Sequence, residues 1–346
     1  MPRRAASAEI PEPMEAQLVD DVPAGEGWQY EPKWDGFRCI ARRSNKTITL
    51  QSKSAKPLNR YFPELVAALQ NLPAVKFMID GEIVVPVAGG LDFNQLLQRI
   101  HPAESRVRKL SAEHPAHFMV FDLLEDEKGE SLVALPLRER RERLAEFAAR
   151  FMEGNSLLHL SAATDQIEEA RRWLASRGSL LDGIMAKRLD ASYVAGKRSG
   201  MVKYKKIRTA DCVVGGFRYL TNSKEVGSLL LGLYDQGVLH HVGFASGIKA
   251  SERQALTRKL RPLVGPPGFT GRAPGGPSRW STERSAAWEP LKPELVVEVS
   301  FDHVTAERFR HGTKILRWRP DKAPEQCTMD QITAPKSSEP VFDFHV

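Results

Sequence analysis

A chain of 346 residues, 42% of them hydrophobic, is long enough for two domains that each bury a core. No apolar run approaches the roughly 18 residues a membrane helix needs, and Arg3-Arg4 is not followed by the apolar stretch of a secretory leader, so a cytoplasmic protein is expected. The formal charge of +7 favours a polyanionic partner, while Cys39, Cys212 and Cys327 lie far apart and form no CxxC pair, which disfavours a zinc site and fits a reducing compartment.

Residues 1–24, rich in Ala, Pro and Glu, read as a loose arm. Alternation of apolar and polar residues then predicts strands on either side of Glu31-Pro32-Lys33-Trp34-Asp35-Gly36, and a hairpin turning at Ser44-Asn45-Lys46. Helical spacing follows at 61–72, with Pro63 in the first turn. Two apolar triplets flank Asp80-Gly81-Glu82, which places an acid inside a buried strand pattern. Asp92 is a cap for a short helix to Ile100, 117–124 is an apolar strand, and 137–151 is a helix with a charged outer face. Asp165 caps another helix that Gly178 stops, and strands at 183–188 and 201–205 complete a mixed α/β region.

Beyond Arg208 the character changes to strands with hairpin turns at 212–219, 228–234 and 238–244, one helix at 251–260, a Gly/Pro-rich stretch at 264–277 read as a mobile loop, and strands at 295–301 and 315–318. A small, mostly antiparallel β-barrel fits this half. Basic residues gather at Arg42-Arg43 with Lys46, Lys53 and Lys56, at Arg106, Arg108 and Lys109, and at Lys203, Lys205, Lys206 and Arg208. Such groups suit successive phosphates and carry no base-reading pattern.

Lys33 is the candidate nucleophile. A lysine amine with its ordinary pKa of about 10.4 is almost wholly protonated at neutral pH, so nearby cations or desolvation must free its lone pair. Taken alone, Lys33 reads more readily as a solvated turn residue, Lys203 and Lys205 as the edge of a basic strand, and Phe121 as core. Their order along the chain is what carries information. Lys33-Trp34-Asp35-Gly36 with Arg38, Ser52-Lys53-Ser54, Asp80-Gly81-Glu82, Phe121-Asp122, Leu181-Asp182-Gly183-Ile184-Met185-Ala186-Lys187, Val202-Lys203-Tyr204-Lys205 and Arg319-Pro320-Asp321-Lys322 resemble, in that order, motifs I, Ia, III, IIIa, IV, V and VI of the covalent nucleotidyltransferases, specifically the ATP-dependent DNA ligases. The resemblance spans nearly the whole chain and is strongest to bacterial DNA ligase C and the ligase domain of bacterial DNA ligase D. One position departs: Asp182 stands where motif IV usually has Glu, one methylene shorter in reach.

The resemblance implies an α+β protein with a nucleotidyltransferase (adenylation) domain at 25–206 and an OB-fold barrel at 207–346. It implies that Lys33 takes AMP from ATP, passes it to the 5′-phosphate of a nick in duplex DNA, and that the 3′-hydroxyl then displaces AMP. Lys203 and Lys205 would meet the α-phosphate, and Arg319, Asp321 and Lys322 would act on the pyrophosphate end. Glu31, Arg38, Glu82, Phe121 and Lys187 would hold the nucleotide, Phe121 by stacking. Asp182 and Glu82 would serve Mg²⁺ or Mn²⁺. A monomeric, nucleoid-associated bacterial repair enzyme working beside a separate polymerase or end-binding proteins is the expected setting. The rival readings are a GTP-dependent mRNA capping guanylyltransferase or an RNA ligase on the same scaffold, and a catalytically silent nucleic-acid-binding module. The intact lysines argue against the last.

Overall fold

The computed structural model describes residues 9–87, 90–176, 181–275 and 287–333. The chain divides into two compact units between Lys206 and Ile207. Among the described residues no helix is long and apolar enough to cross a membrane.

The first unit holds two larger sheets and a two-stranded ribbon, Pro86–Val87 with Gly90–Leu91. One has five strands in the order Thr47–Ser52, Phe37–Ser44, Lys76–Val84, His117–Glu125 and Leu158–Leu160. The other has four, in the order Gln17–Val19, Met201–Lys205, Gly183–Arg188 and Trp28–Pro32. Gln17–Val19 comes from the stretch expected to be a loose arm, and pairs in parallel with Met201–Lys205. The expected helix at 61–72 forms as a 3₁₀ turn, Asn59–Tyr61, followed by Pro63–Gln70, whose Leu65 and Leu69 are fully buried. Asp92 caps Phe93–Gln98 by accepting hydrogen bonds from the backbone N–H groups of Asn94 and Gln95. Helix Leu137–Phe147 is tied to the sheet by Arg140, whose guanidinium donates twice to the Asp122 carboxylate, both at 2.9 Å, with both groups buried. The expected stop at Gly178 lies outside the described residues, as do residues 1–8 of the arm.

The second unit is built on a sheet ordered Val238–Ala245, Val226–Asp235, Arg208–Tyr219, Val296–Phe301 and Lys314–Trp318, with Glu289–Pro290 also paired to Arg208–Tyr219. The architecture is OB-like, but the expected closed barrel is not there: among the described residues no sheet closes on itself. Closure requires a hydrogen-bonded ladder between the two outermost strands. Here Ala245 makes a single bridge to Thr313, just before Lys314–Trp318, and the pairing goes no further. Local alternation reports which residues form strands and says nothing about whether the first and last of them meet.

The Gly/Pro-rich stretch also differs from its reading, as far as residue 275. Phe269 enters the core, the Gly271 N–H donates to Leu239 O at 3.0 Å, and the Thr270 hydroxyl accepts from the Leu239 N–H at 2.8 Å. These bonds pin it to a neighbouring strand. Residues 276–277 lie outside the described residues.

Candidate active site

Backbone pairing sets the first feature of the site. Trp28–Pro32 runs antiparallel to Gly183–Arg188, with Pro32 opposite Ile184 and Glu31 opposite Met185. The pairing continues past the strand ends: the Lys33 N–H donates to Gly183 O at 3.0 Å and the Asp182 N–H to Lys33 O at 3.1 Å. Lys33 and Asp182 are thereby held opposite one another, and the Lys33 ammonium is ion-paired with the Asp182 carboxylate. The turn that follows is clamped. Trp34 is buried, its indole N–H donating to Ser161 Oγ at 2.9 Å, and a Cβ on Gly36 would stand 2.1 Å from Ile83 O.

Lys33 faces a cavity of about 270 Å³ in the first unit. Phe121 lines it beneath two cations, the Arg38 guanidinium carbon 4.3 Å and the Lys187 ammonium 4.4 Å from the ring centroid. Each cation has its own acid. Arg38 donates in two-pronged fashion to Asp80 at 2.6 and 2.7 Å, and the Tyr193 hydroxyl donates to the same carboxylate at 2.7 Å. Burial works against the Arg38 charge, and the adjacent Asp80 carboxylate outweighs it, leaving the guanidinium even harder to deprotonate than usual. Lys187 pairs with Glu31 at 2.7 Å, and Glu31 also accepts from the Gln29 amide at 2.7 Å. The Phe121 face is thus electron-rich aromatic surface bounded by fixed positive charge, an environment suited to a flat base carrying phosphates.

Lys203 also lines the cavity, and lies opposite Met185 in the sheet, while Lys205 lies opposite Gly183. Burial lowers the Lys203 pKa, and Lys33 and Lys205 lower it further by repulsion. Glu82, on the facing sheet opposite Arg38, is half-buried, and burial pushes its carboxyl up to about 7 despite the nearby Arg38 and Lys33. Asp182 and Lys205 are not among the cavity's lining residues, and Asp182 meets it through the Lys33 ammonium.

The raised Glu82 pKa has a testable sign. Folding favours the protonated form, so the stability this residue contributes is present below its ordinary carboxyl range and is lost as pH rises through about 7. Glu82→Gln should therefore melt about 2–4 °C above the wild type at pH 8 and level with it at pH 5. Thermal denaturation at the two pH values decides it, and equal melting at pH 8 would refute the burial of this charge.

Arg319, Asp321 and Lys322 belong to the second unit, and Arg319 and Lys322 share a partner that no sequence motif marks. Asp211 accepts from Arg319 at 2.9 and 3.0 Å and from the Lys322 ammonium at 2.8 Å. Arg319 also donates to Asp321 at 2.9 Å, which holds that carboxyl down at about 2. Tyr193 and Ser161 were likewise missed, and no local pattern marks them, because their partners Asp80 and Trp34 lie 113 and 127 residues away.

Comparison with known proteins identifies the family. A family model described as "ATP dependent DNA ligase domain" matches residues 13–205, and one described as "ATP dependent DNA ligase C terminal region" matches residues 222–322. The chain is 44% identical to DNA ligase C1 of Mycolicibacterium smegmatis over 94% of each chain. It is 40% identical to DNA ligase C of Mycobacterium tuberculosis, covering 93% of this chain and 94% of that one. A solved structure of mycobacterial DNA ligase D complexed with ATP and MES superposes with a TM-score of 0.50 at 26% identity, over 92% of this chain and 98% of that one. Two matched regions in the order expected of such enzymes, with relatives two-fifths identical or more along almost their whole length, leave one conclusion: this chain belongs to the ATP-dependent DNA ligases.

Proposed function

We propose that Lys33 carries the AMP in this ligase and that the cavity it faces is the ATP site. The observation behind this reading is the placement of Lys33 beside the Phe121 pocket, with Arg38, Lys187 and Lys203 lining the same cavity. The Lys33 amine attacks the α-phosphorus of ATP, a P–N bond forms, and the bond to the departing pyrophosphate breaks. The ammonium must first leave its ion pair with Asp182 and give up a proton to solvent. Lys203 provides positive charge for the α-phosphate, and Phe121 a face for the adenine. AMP then moves to the 5′-phosphate of nicked duplex DNA, and the 3′-hydroxyl displaces it.

The donors present fit a Mg²⁺ or Mn²⁺ ion. Among the described residues no group of three or more His, Cys, Asp or Glu side chains is arranged for a metal, but Mg²⁺ typically uses one or two carboxylates and completes its shell with phosphate oxygens and water. Asp182 and Glu82 supply such oxygens, and the raised pKa of Glu82 marks a carboxylate whose charge a cation would relieve. When bound, the ion would neutralise charge building on the phosphates. A shorter Asp182 in place of Glu is consistent with a carboxylate already seated on Lys33.

Arg319, Asp321 and Lys322 are assigned to the pyrophosphate end of the first step. Asp321→Ala or Lys322→Ala should slow Lys33 adenylation at least about 10²-fold while largely sparing sealing of a nick that already carries AMP. Lys203→Ala should slow both. The measurement pairs ATP plus an ordinary nick with a pre-adenylated nick lacking ATP, and equal losses in both assays for the Asp321 and Lys322 variants would sink the assignment. Bacterial DNA repair, alongside a separate polymerase or end-binding protein and as a monomer, is the setting we infer.

A further inference from the structure

The residues just before the strand Gln17–Val19 run along the nucleotide cavity as a strap. Pro13 to Ala16 line it, and the strap is fixed by its own backbone. The Met14 N–H donates to the Tyr193 hydroxyl at 3.0 Å, the Glu15 N–H to Lys197 O at 2.9 Å, and Gln17–Val19 then pairs with Met201–Lys205, setting Leu18 opposite Lys203. None of these bonds uses the Glu15 carboxylate. That group instead bridges two cations of the cavity wall, Lys53 Nζ at 2.7 Å and Arg198 Nε at 2.9 Å. Both cations are largely exposed, at 62% and 68%, and each is paired with Glu15.

We propose that Glu15 is a built-in competitor for substrate phosphate: its carboxylate keeps Lys53 and Arg198 at the cavity, and an entering phosphate must take both cations from it. Two oxygens bridging two cations imitate what a phosphate offers, and a phosphate arriving beside an ionised Glu15 would face like charge. The carboxyl is held down at about 2, chiefly by the hydrogen bonds from Lys53 and Arg198, so it remains an anion throughout the working pH range. The consequence is a ligase whose phosphate affinity is set below what its cations allow, favouring release between successive steps. The proposal rests on reading this cavity as the nucleotide site. The phosphate concerned belongs to either the ATP triphosphate or the DNA end, which share this chemistry.

Glu15→Gln in the full chain tests it, with the anchoring backbone bonds left in place. KM for ATP in Lys33 adenylation and KM for a pre-adenylated nick sealed without ATP are measured separately. One or both should fall about three- to tenfold, the range expected for releasing exposed ion pairs, with saturated rates within about twofold, and the arm that moves identifies the phosphate. Lys53→Met should raise KM in that same arm, and the gain from Glu15→Gln should shrink in the double variant. If Glu15→Gln leaves both KM values unchanged, or raises them, Glu15 is not a competitor. That result differs from failure of the cavity reading, which would show as a wild-type protein that places no AMP on Lys33.

Discussion

Incubated with ATP and Mg²⁺, the wild-type chain should gain the mass of one adenylate, and Lys33→Ala should gain none. The adduct should be acid-labile, as a phosphoramidate is, and should sit on the peptide containing Lys33. The other amines lining the cavity are seated elsewhere, Lys187 on Glu31 and Lys53 on Glu15. Lys203 and Lys205 lie on a different strand, opposite Met185 and Gly183, while the backbone of Lys33 is the one joined to Gly183 and Asp182. A nucleophile two or three ångströms out of line forfeits most of the advantage of being held in place. Sealing of a nick that already carries AMP should suffer far less, because the nucleophile's task is then complete. Intact-mass analysis of the two proteins is sufficient, and an adduct of undiminished yield in Lys33→Ala would overturn the assignment.

Gly183→Ala should damage the enzyme nearly as badly without removing any functional group. Gly183 has φ of +149°, and a Cβ there would stand 1.9 Å from the Tyr204 carbonyl oxygen. That oxygen is backbone, fixed in the strand Met201–Lys205, so no side chain can swing aside to make room. Either this strand or Gly183–Arg188 must shift, and the two bonds that align Lys33 with Asp182 run through the same backbone. We expect a loss of about 3 kcal/mol in stability, a melting temperature lower by about 6–12 °C, and adenylation slower by about 10²-fold, the scale of an ångström misplacement at a reacting centre. Gly154→Ala is the control: φ is +74°, but nothing lies within 4 Å of the added carbon, so only the backbone conformation is strained, at about 1–2 kcal/mol with no effect on adenylation. Wild-type melting and adenylation for Gly183→Ala would show that this contact does not align the site.

Much of the architecture is written locally. Period-two alternation marks Phe37–Ser44, Thr47–Ser52 and Val238–Ala245 because a strand's two faces meet different surroundings. Apolar spacing of three and four residues marks Pro63–Gln70 for the corresponding reason. Where that signal fails, the element is missed: Glu104–Glu113 buries only Val107 and is polar almost all round, and Leu158–Leu160 is three residues long. The motif order likewise names Lys33, Glu82, Phe121, Asp182 and Lys203 as candidates, since it needs only residue identity along the chain.

Contacts between distant residues are another matter. That Lys33 rests on Asp182, 149 positions away, that Arg38 is locked to Asp80, and that Arg319 and Lys322 share Asp211 all follow from strand register and cannot be read from any short window. The open sheet of the second unit has the same origin, because closure depends on the meeting of its first and last strands. By itself the sequence determined the chemistry available to this ligase and most of its strands and helices, because residue type and periodicity are local properties. Only the tertiary structure decided which charges oppose one another, which stand at the cavity, and that a glutamate from the chain's first twenty residues holds two of its cations, because those depend on pairing across the whole fold.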